Sequence, residues 1–165
     1  MIVFGVDPGT VVTGYGVVSH EMSKYKALEY GCIRPPRGMK LSQRYKIIYE
    51  EIFLLIKKYS PDAVSVESQF VSKNVQSAMK LGMARGMIIL AATQQGIPVY
   101  EYAPTKVKRA VVGNGRAQKH QVQSMVQVLL SLEEIPHPDD AADALALALC
   151  HLHAGSLLTI ESAHV

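Results

Sequence analysis

The chain has 165 residues, of which 48% are hydrophobic and 19% charged, and its net charge at neutral pH is +3. A chain of this length forms one ordinary domain and buries about two thirds of the surface that its unfolded form exposes, so its stability requires no disulfide or structural metal. No apolar run approaches the length of a membrane-spanning helix, and the opening Met1–Val6 lacks the basic region of a signal peptide.

The two cysteines, Cys32 and Cys150, have no CxxC pairing and no secretory leader beside them. We interpret them as buried thiols of a reducing compartment. Together with the lack of a membrane-spanning run, they predict a soluble, cytoplasmic protein with no membrane partner.

Charge is distributed unevenly along the chain. Residues 1–119 carry all 17 Lys and Arg with eight acids, a net charge of +9, whereas residues 121–165 carry the other six acids and a net charge of −6. Such polarity suggests a surface that faces a polyanion and surrounds an acidic centre. A chance distribution of exposed charge is the simpler alternative.

Three short β-rich runs open the chain, at 2–7, 14–19 and 27–33, and predict an antiparallel meander. Apolar residues then recur over 41–59 with the spacing of an amphipathic helix. Ala63–Glu67 has the pattern of a buried strand that ends in a carboxylate. The remaining predicted elements are a helix over 74–94 closed by Gly96, a strand over 99–102, and helices over 118–132 and 138–153.

Strands that alternate with helices after an opening meander indicate an α/β fold, with a five-stranded mixed sheet covered by helices on both faces. No repeat, low-complexity segment or linker divides the chain, and the break at Arg34–Gly38 is too short to separate domains. We therefore expect one domain over residues 1–157, followed by a flexible tail over 158–165.

Four acids are placed to form one site. Asp7 and Glu67 each end a predicted strand, where open α/β sheets place their ligand clefts, and they meet if these strands are parallel neighbours. Asp140 and Asp143 are three residues apart and therefore share a face of the last predicted helix. Such a cluster needs protons or cations, because two unit charges about 4 Å apart repel by roughly 4 kcal/mol at an effective dielectric of about 20.

Carboxylate ligands without His or Cys favour Mg²⁺ or Mn²⁺ over Zn²⁺. Two such ions about 4 Å apart can clamp the attacking water and the leaving 3′ oxygen of a phosphodiester, which predicts hydrolysis with in-line displacement. Each acid also has a structural alternative, since Asp7 can shape a turn, Asp139 or Asp140 can cap a helix, and Glu67 can end a surface strand. Their coincidence at two strand ends and one helix face favours a site.

Several motifs stand in the order of a known family across nearly the whole chain. The chain resembles the RuvC family of bacterial Holliday-junction resolvases at Asp7-Pro8-Gly9-Thr10, Thr13-Gly14-Tyr15-Gly16, Val66-Glu67, Ser77–Gly82, Ala84-Arg85-Gly86, Tyr102-Ala103-Pro104, Val107-Lys108, Val112–Gly115, Lys119, Gln121-Val122 and Asp140–Leu145. The resemblance implies a ribonuclease H-like fold and a homodimer that binds four-way DNA junctions. It also implies symmetric, magnesium-dependent nicking of two opposing strands in homologous recombination and DNA repair.

By position, Asp7, Glu67, Asp140 and Asp143 match the family's catalytic and metal-binding acids, with two Mg²⁺ ions per site and Mn²⁺ as a substitute. Asp139 has no assigned counterpart, so either Asp139 or Asp140 can face the metals, and the three-residue spacing to Asp143 favours Asp140. The family further implies cooperation with the RuvA and RuvB branch-migration proteins.

Two basic runs are candidates for phosphate contacts, with ordinary solvated surface charge as the alternative for each. They consist of Lys106, Lys108, Arg109, Arg116 and Lys119 in one run and of Arg34, Arg37, Lys40, Arg44 and Lys46 in the other. Lys108 and Lys119 match family lysines near the cleavage centre. We predict that these two are also catalytic, because they can stabilise charge on the reacting phosphate.

Other predicted contacts lie between Glu67 and the following helix and on that helix. Phe70 is predicted to stack on an unpaired base at the crossover, with a buried loop anchor as the alternative, and Lys73 is a further predicted DNA contact. Ala78, Gly82 and Gly86 form a stripe without bulk that permits close packing. The alternatives for this stripe are the chain's own sheet and, as the resemblance implies, a subunit interface.

His151 and His153 point to different helix faces, so we interpret them as structural rather than as a metal pair. Two other functions compete with the nuclease. An actin-like nucleotide-binding domain is disfavoured because such proteins need a second similar domain. A module that binds branched DNA without cutting it predicts that a change at Asp7 alters no chemistry.

Overall fold

In the computed structural model, which describes residues 1–68 and 74–156, a five-stranded sheet lies between two layers of helices. The strands are β1 Ile2–Asp7, β2 Thr13–Glu21, β3 Lys24–Ile33, β4 Ala63–Glu67 and β5 Val99–Tyr102. The helices are α1 Leu41–Tyr59, α2 Val75–Thr93, α3 Pro104–Val112, α4 Lys119–Leu129 and α5 Asp139–Ser156. The predicted α/β class and mixed sheet are confirmed.

The sheet has the order β3-β2-β1-β4-β5, and the first three strands in sequence form the predicted antiparallel meander. Strands β1, β4 and β5 are mutually parallel, so their carboxyl ends meet at one edge. Val6 pairs with Val66, and Glu67 pairs with Tyr102. Asp7 and Glu67 therefore end neighbouring strands at the same level.

Side-chain alternation along the strands divides the core into two clusters. Phe4 and Val6 of β1 pack with α1 and α2 on one face of the sheet, whereas Val3 packs with α5 on the other. Residues two apart share a face of a strand, so Asp7 lies on the α5 side with Val3. In β4, Val64 and Val66 face α1 and α2, and the same alternation places Glu67 on the α5 side.

Helix α5 lies directly against the backbone of β1 and β2, because glycines face it. A Cβ at Gly5 would lie 2.0 Å from the Ala144 carbonyl oxygen, and one at Gly14 would lie 2.0 Å from the Asp140 carbonyl oxygen. A Cβ at Gly16 would lie 2.7 Å from the Leu145 side chain. These contacts fix the amino-terminal turns of α5 beside the end of β1.

Helix α3 was not predicted, because its stretch was interpreted only as a basic run. The available signals were Pro104 in the first turn, buried Val107 and Val111 four residues apart, and Gly113, which ends the helix with φ 82°. Cys150 is buried as predicted, but Cys32 is only partly buried, since it lies on β3, a strand at the edge of the sheet. None of the described helices has the length and hydropathy needed to cross a lipid bilayer.

We expect Gly5→Ala to lower the free energy of unfolding by about 1 to 3 kcal/mol, because overpacking must move β1 or α5. Gly155→Ala is the matched control, since Gly155 lies in α5 and a Cβ there would meet nothing within 4 Å. Chemical denaturation of both variants measures the difference. Equal stabilities would contradict the close-packing account.

Candidate active site

A cleft of about 220 Å³ opens at the carboxyl ends of β1 and β4, between the sheet and helices α3, α4 and α5. It is lined by Asp7, Glu67, Pro104, Val107, Lys108, Lys119, Val122, Asp143, Ala146 and Leu147. Acids and lysines thus share one cavity with apolar walls. Ligand sites commonly combine such walls with a few converging polar groups.

The loop after β1 holds Asp7 at the floor of the cleft. Buried Thr13 donates a hydrogen bond from its hydroxyl to the Gly9 carbonyl at 2.7 Å and accepts one from the Gly9 amide at 3.3 Å. A Cβ at Gly9 would lie 2.0 Å from the Val12 carbonyl oxygen, so the turn requires glycine. The chain turns sharply away after Asp7 and leaves its carboxyl group in the cavity.

The amino-terminal part of α5 brings three acids to this region, and they have different surroundings. Asp143 lines the cleft, and Asp140 packs against Gly14 of β2. Asp139 points to solvent and accepts a hydrogen bond from the Gln123 side-chain amide at 2.9 Å. The charges that raise the pKa of Asp7 include those of Asp140 and Asp143. Both Asp139 and Asp140 raise the pKa of Asp143, but only Asp140 is among the charges that raise that of Asp7, which favours Asp140 as the acid that joins Asp7.

Asp7 is the acid on which the charges of the other three act. Burial, followed by the charges of Glu67, Asp143 and Asp140, raises its pKa from 3.8 to about 7, and the charge of Lys119 partly opposes this shift. Burial and the charge of Asp143 also raise the pKa of Glu67. Carboxyl groups whose charged forms are disfavoured in this way are stabilised when a cation binds between them.

Two lysines enter the same cleft from α3 and α4. Lys108 lies near enough to Glu67 for its charge to lower that acid's pKa, against the larger effect of burial. Lys119 donates a hydrogen bond from Nζ to Asp143 Oδ2 at 3.0 Å. Although burial acts in the opposite direction, this bond raises the pKa of Lys119. The cleft therefore holds anionic and cationic groups face to face.

The start of α4 determines where Lys119 lies. Lys119 is the first residue of the helix, and the backbone amide of Gln118 donates a hydrogen bond to the Gln121 side chain at 2.7 Å. Buried Val122 and Val126, four residues apart, pack α4 into the core. Lys119 is thus held at the end of α4 that faces the cleft.

The donor set of the site consists of carboxylate oxygens, which fits Mg²⁺ or Mn²⁺. Within residues 1–68 and 74–156, no group of three or more His, Cys, Asp or Glu side chains is arranged to hold a metal ion without further ligands. Magnesium is usually held by one or two carboxylates together with water and substrate phosphates rather than by a complete protein cage. The open arrangement is compatible with that mode of binding.

The predicted DNA contacts on α3 and in the loop after it lie outside the lining of the cleft. Lys106, Arg109 and Arg116 are exposed on α3 and in the loop after it. Phe70 and Lys73 lie outside the described residues. The structure therefore brings Asp7, Glu67 and Asp143 together with Lys108 and Lys119, places Asp140 near enough for its charge to act on Asp7, and leaves Lys106, Arg109 and Arg116 at the surface.

Sequence reasoning missed the apolar walls of the cleft and one buried pair behind it. Val107, Val122 and Leu147 carried only the ordinary signal of helix periodicity, which does not distinguish a wall from a core position. His151 shares a hydrogen bond of 2.8 Å with the hydroxyl of Tyr102. His153 instead contacts the Ala110 carbonyl, so the two histidines face different elements, as predicted.

The stability of the metal-free protein should depend on pH through Asp7. The folded protein keeps a proton on Asp7 up to about pH 7, whereas the unfolded chain releases it near 3.8, so the free energy of unfolding falls between these values. Asp7→Asn should remove about 1 to 3 kcal/mol of this fall, since one pKa unit corresponds to about 1.4 kcal/mol and solvent at the open cleft reduces the effect.

Denaturant titrations of the unmodified protein and Asp7→Asn from pH 4 to pH 8, both with chelator, measure the difference. The comparison cancels the titration of all other groups to first order. Above pH 7 the variant should be the more stable protein. Parallel profiles would contradict the electrostatic account of Asp7.

Comparison with known proteins places these features in a family. The family model described as crossover junction endodeoxyribonuclease RuvC matches residues 3–151. The protein of that name from Protochlamydia amoebophila is 61% identical over 151 residues, covering 92% of this chain and 90% of that protein. Thermus thermophilus RuvC superposes with a TM-score of 0.91 at 35% identity, and its complex with Holliday junction substrate with 0.91 at 33%, each covering 100% of both chains. The predicted ribonuclease H-like fold is confirmed, and the chain belongs to the RuvC family of crossover junction endodeoxyribonucleases.

Proposed function

We propose that this protein resolves Holliday junctions by metal-dependent nicking of two opposing strands, with Asp7, Glu67, Asp140 and Asp143 as metal ligands. The observation that carries the proposal is that Asp7, Glu67 and Asp143 line one cleft with Lys108 and Lys119, with Asp140 near enough for its charge to act on Asp7. Membership of the RuvC family supports the reaction class. A relative solved in complex with Holliday junction substrate supports the choice of substrate.

The chemistry assigns separate tasks to the acids and the lysines. The acids would hold Mg²⁺ ions, two per site and replaceable by Mn²⁺, which would supply a water of lowered pKa and offset charge on the phosphate. Lys108 and Lys119 lie on the helices that face these acids and offer positive charge to the phosphate as it gains negative charge. The apolar walls around Val107, Val122 and Leu147 reduce the water around these charges and strengthen their interactions.

Basic residues lie on both sides of the acids at this end of the sheet. On the β5 side are Lys106, Arg109 and Arg116, which are exposed. On the other side, Arg34 and Arg37 follow β3, whose last residue pairs with Thr13 near Asp7. A duplex arm centred on the acids would meet basic side chains on both flanks, which supports phosphate binding by both runs.

A module that binds branched DNA without cutting it is the main competing function. Such a module needs the basic flanks but gains nothing from a cluster of acids beside bound phosphates, in which the pKa of Asp7, Glu67 and Asp143 is raised, since the acids repel the ligand. The raised pKa of Asp7 therefore favours an enzyme over a simple binding protein.

Asp7→Asn should reduce Mg²⁺-dependent nicking of a synthetic four-way junction by at least about a thousandfold. The substitution removes the proposed metal ligand on which the charges of the other acids act. Junction binding should change less than about threefold, since phosphate contacts carry the affinity. Glu51→Gln, which removes one exposed charge from α1, is the matched control and should cut normally. Undiminished cutting by Asp7→Asn would exclude the mechanism.

We also propose a homodimer formed through the outer face of α2. On this face Val75, Met79, Met83 and Leu90 are 63%, 63%, 53% and 43% exposed. Cβ atoms at the intervening Gly82 and Gly86 would meet nothing within 4 Å, so the small-residue stripe faces away from the described part of the chain. The opposite face, with Ala84, Ile88, Ala91 and Ala92, is buried against the domain.

A continuous apolar stripe with backbone exposed at glycines is suited to packing against the same helix of a second copy. Helix α2 is tied to the sheet by an ion pair between Arg85 and Glu101 of β5. This ion pair and the buried Ala84 and Ile88 together attach the interface helix to the domain.

Met79→Glu should convert the dimer to a monomer by placing a charge in the apolar contact of each subunit, with the dissociation constant raised at least about a hundredfold. Leu54→Glu is the matched control, since Leu54 is 58% exposed on α1 outside this stripe. Sedimentation equilibrium measures both variants, and circular dichroism checks their folding. A folded Met79→Glu dimer would rule out this interface.

Relatives named as RuvC support two further proposals. The protein would act after branch migration by RuvA and RuvB, which would present the junction to it. Because its proposed substrate is junction DNA, we place its activity in the cytoplasm. Each follows from the family and from no particular contact in this structure.

A further inference from the structure

Asp139 has no task in the mechanism above, and its contacts are with α4 rather than with the other acids. Its Oδ2 lies 3.5 Å from Lys119 Nζ, and its Oδ1 accepts a hydrogen bond from Gln123 Nε2 at 2.9 Å. Gln123 follows Lys119 by four residues, so both side chains lie on one face of α4. Asp139 thus connects the first turn of α5 to the first turns of α4.

Lys119 lies between two carboxylates, one inside the cleft and one at its rim. Its Nζ lies 3.0 Å from Asp143 Oδ2 in the cleft and 3.5 Å from Asp139 Oδ2 at the rim. Asp143 is a proposed metal ligand, whereas the Asp139 side chain is 58% exposed and does not line the cleft. A cation bound to Asp143 would compete with the ammonium for the same oxygens, and Asp139 is the partner that remains within reach.

We infer that Asp139, held by Gln123, is a positioning residue that keeps the Lys119 ammonium at the rim of the cleft when a divalent ion occupies Asp143. This inference rests on the proposed function. In the absence of metal the lysine neutralises Asp143, and with metal bound it transfers to Asp139 and remains beside the reacting phosphate. Outer carboxylates that orient a charged group in this way commonly affect metal affinity or activity about tenfold or more.

A double-mutant cycle in Mn²⁺ binding tests the exchange without DNA or catalysis. Free Mn²⁺ is measured by its electron paramagnetic resonance signal in titrations of the full chain carrying Asp139→Asn, Lys119→Met or both. Asp139→Asn should weaken binding about tenfold when Lys119 is present, because the ammonium then has only Asp143. In the Lys119→Met background the same change should cost less than about twofold.

The cycle separates positioning from two simpler explanations. Loss of a long-range negative charge, or loss of a direct metal ligand, weakens Mn²⁺ binding equally in both backgrounds. An equal loss in both, or no loss in either, would overturn the inference. Glu134→Gln removes an exposed charge from the loop before α5 and should leave Mn²⁺ binding within twofold of the unmodified protein.

Asp7→Asn distinguishes failure of this inference from failure of the proposed function. If Asp7→Asn binds Mn²⁺ as the unmodified protein does, the metal site itself is wrong. If Asp7→Asn loses Mn²⁺ and the cycle shows no coupling, only the role of Asp139 is wrong.

Junction cleavage at saturating Mn²⁺ gives a second readout. Asp139→Asn should lower kcat about tenfold with KM within twofold, because Lys119 is displaced in the transition state while DNA binding is retained. Asp139→Glu should restore at least half of kcat, and Gln123→Leu should lower it less than Asp139→Asn does. A raised KM with unchanged kcat would identify Asp139 as a substrate contact and overturn the positioning role.

Discussion

The direct contact between α5 and the backbone of β1 and β2 is the constraint on which the rest of the structure depends. Glycine at positions 5, 14 and 16 removes the side chains that would otherwise separate a helix from a sheet. Alanines on α5 complete the contact, since Ala141, Ala144 and Ala148 are fully buried. Without this approach, Asp140 and Asp143 would stand farther from Asp7, and their charges would act on it less strongly.

The repulsion among the acids of the site is offset by the tight packing of the strands beside them. Asp7 and Glu67, whose charged forms are disfavoured, end strands whose preceding residues, Val6 and Val66, are completely buried. Burial of these strands stabilises the domain and thereby offsets the unfavourable electrostatic free energy of the acid cluster. Lys108 and Lys119, on the helices opposite, offset part of the repulsion among the acids.

The features that could be predicted from the sequence are those that depend on the local periodicity of its side chains. The ends of β1 and β4 and the spacing of Asp140 and Asp143 depend on local repeats of two and 3.6 residues, which are visible in the sequence. The glycine contacts could not be predicted, because Gly5 and Gly14 meet α5 only once the strand register is known. The distinction between Asp139 and Asp140 likewise depended on α4, whose Gln123 and Lys119 approach α5 through tertiary packing.

The position of α2 on the face of the sheet opposite α5 has a geometric consequence. In a dimer paired through α2, both sheets and both α2 helices lie between the two α5 helices, so the catalytic centres cannot approach each other. The Arg85–Glu101 ion pair joins α2 to β5, the strand beside Glu67, and so helps to hold α2 in place. Paired incision by such a dimer would therefore select DNA in which the two target strands already lie as far apart as the two catalytic centres.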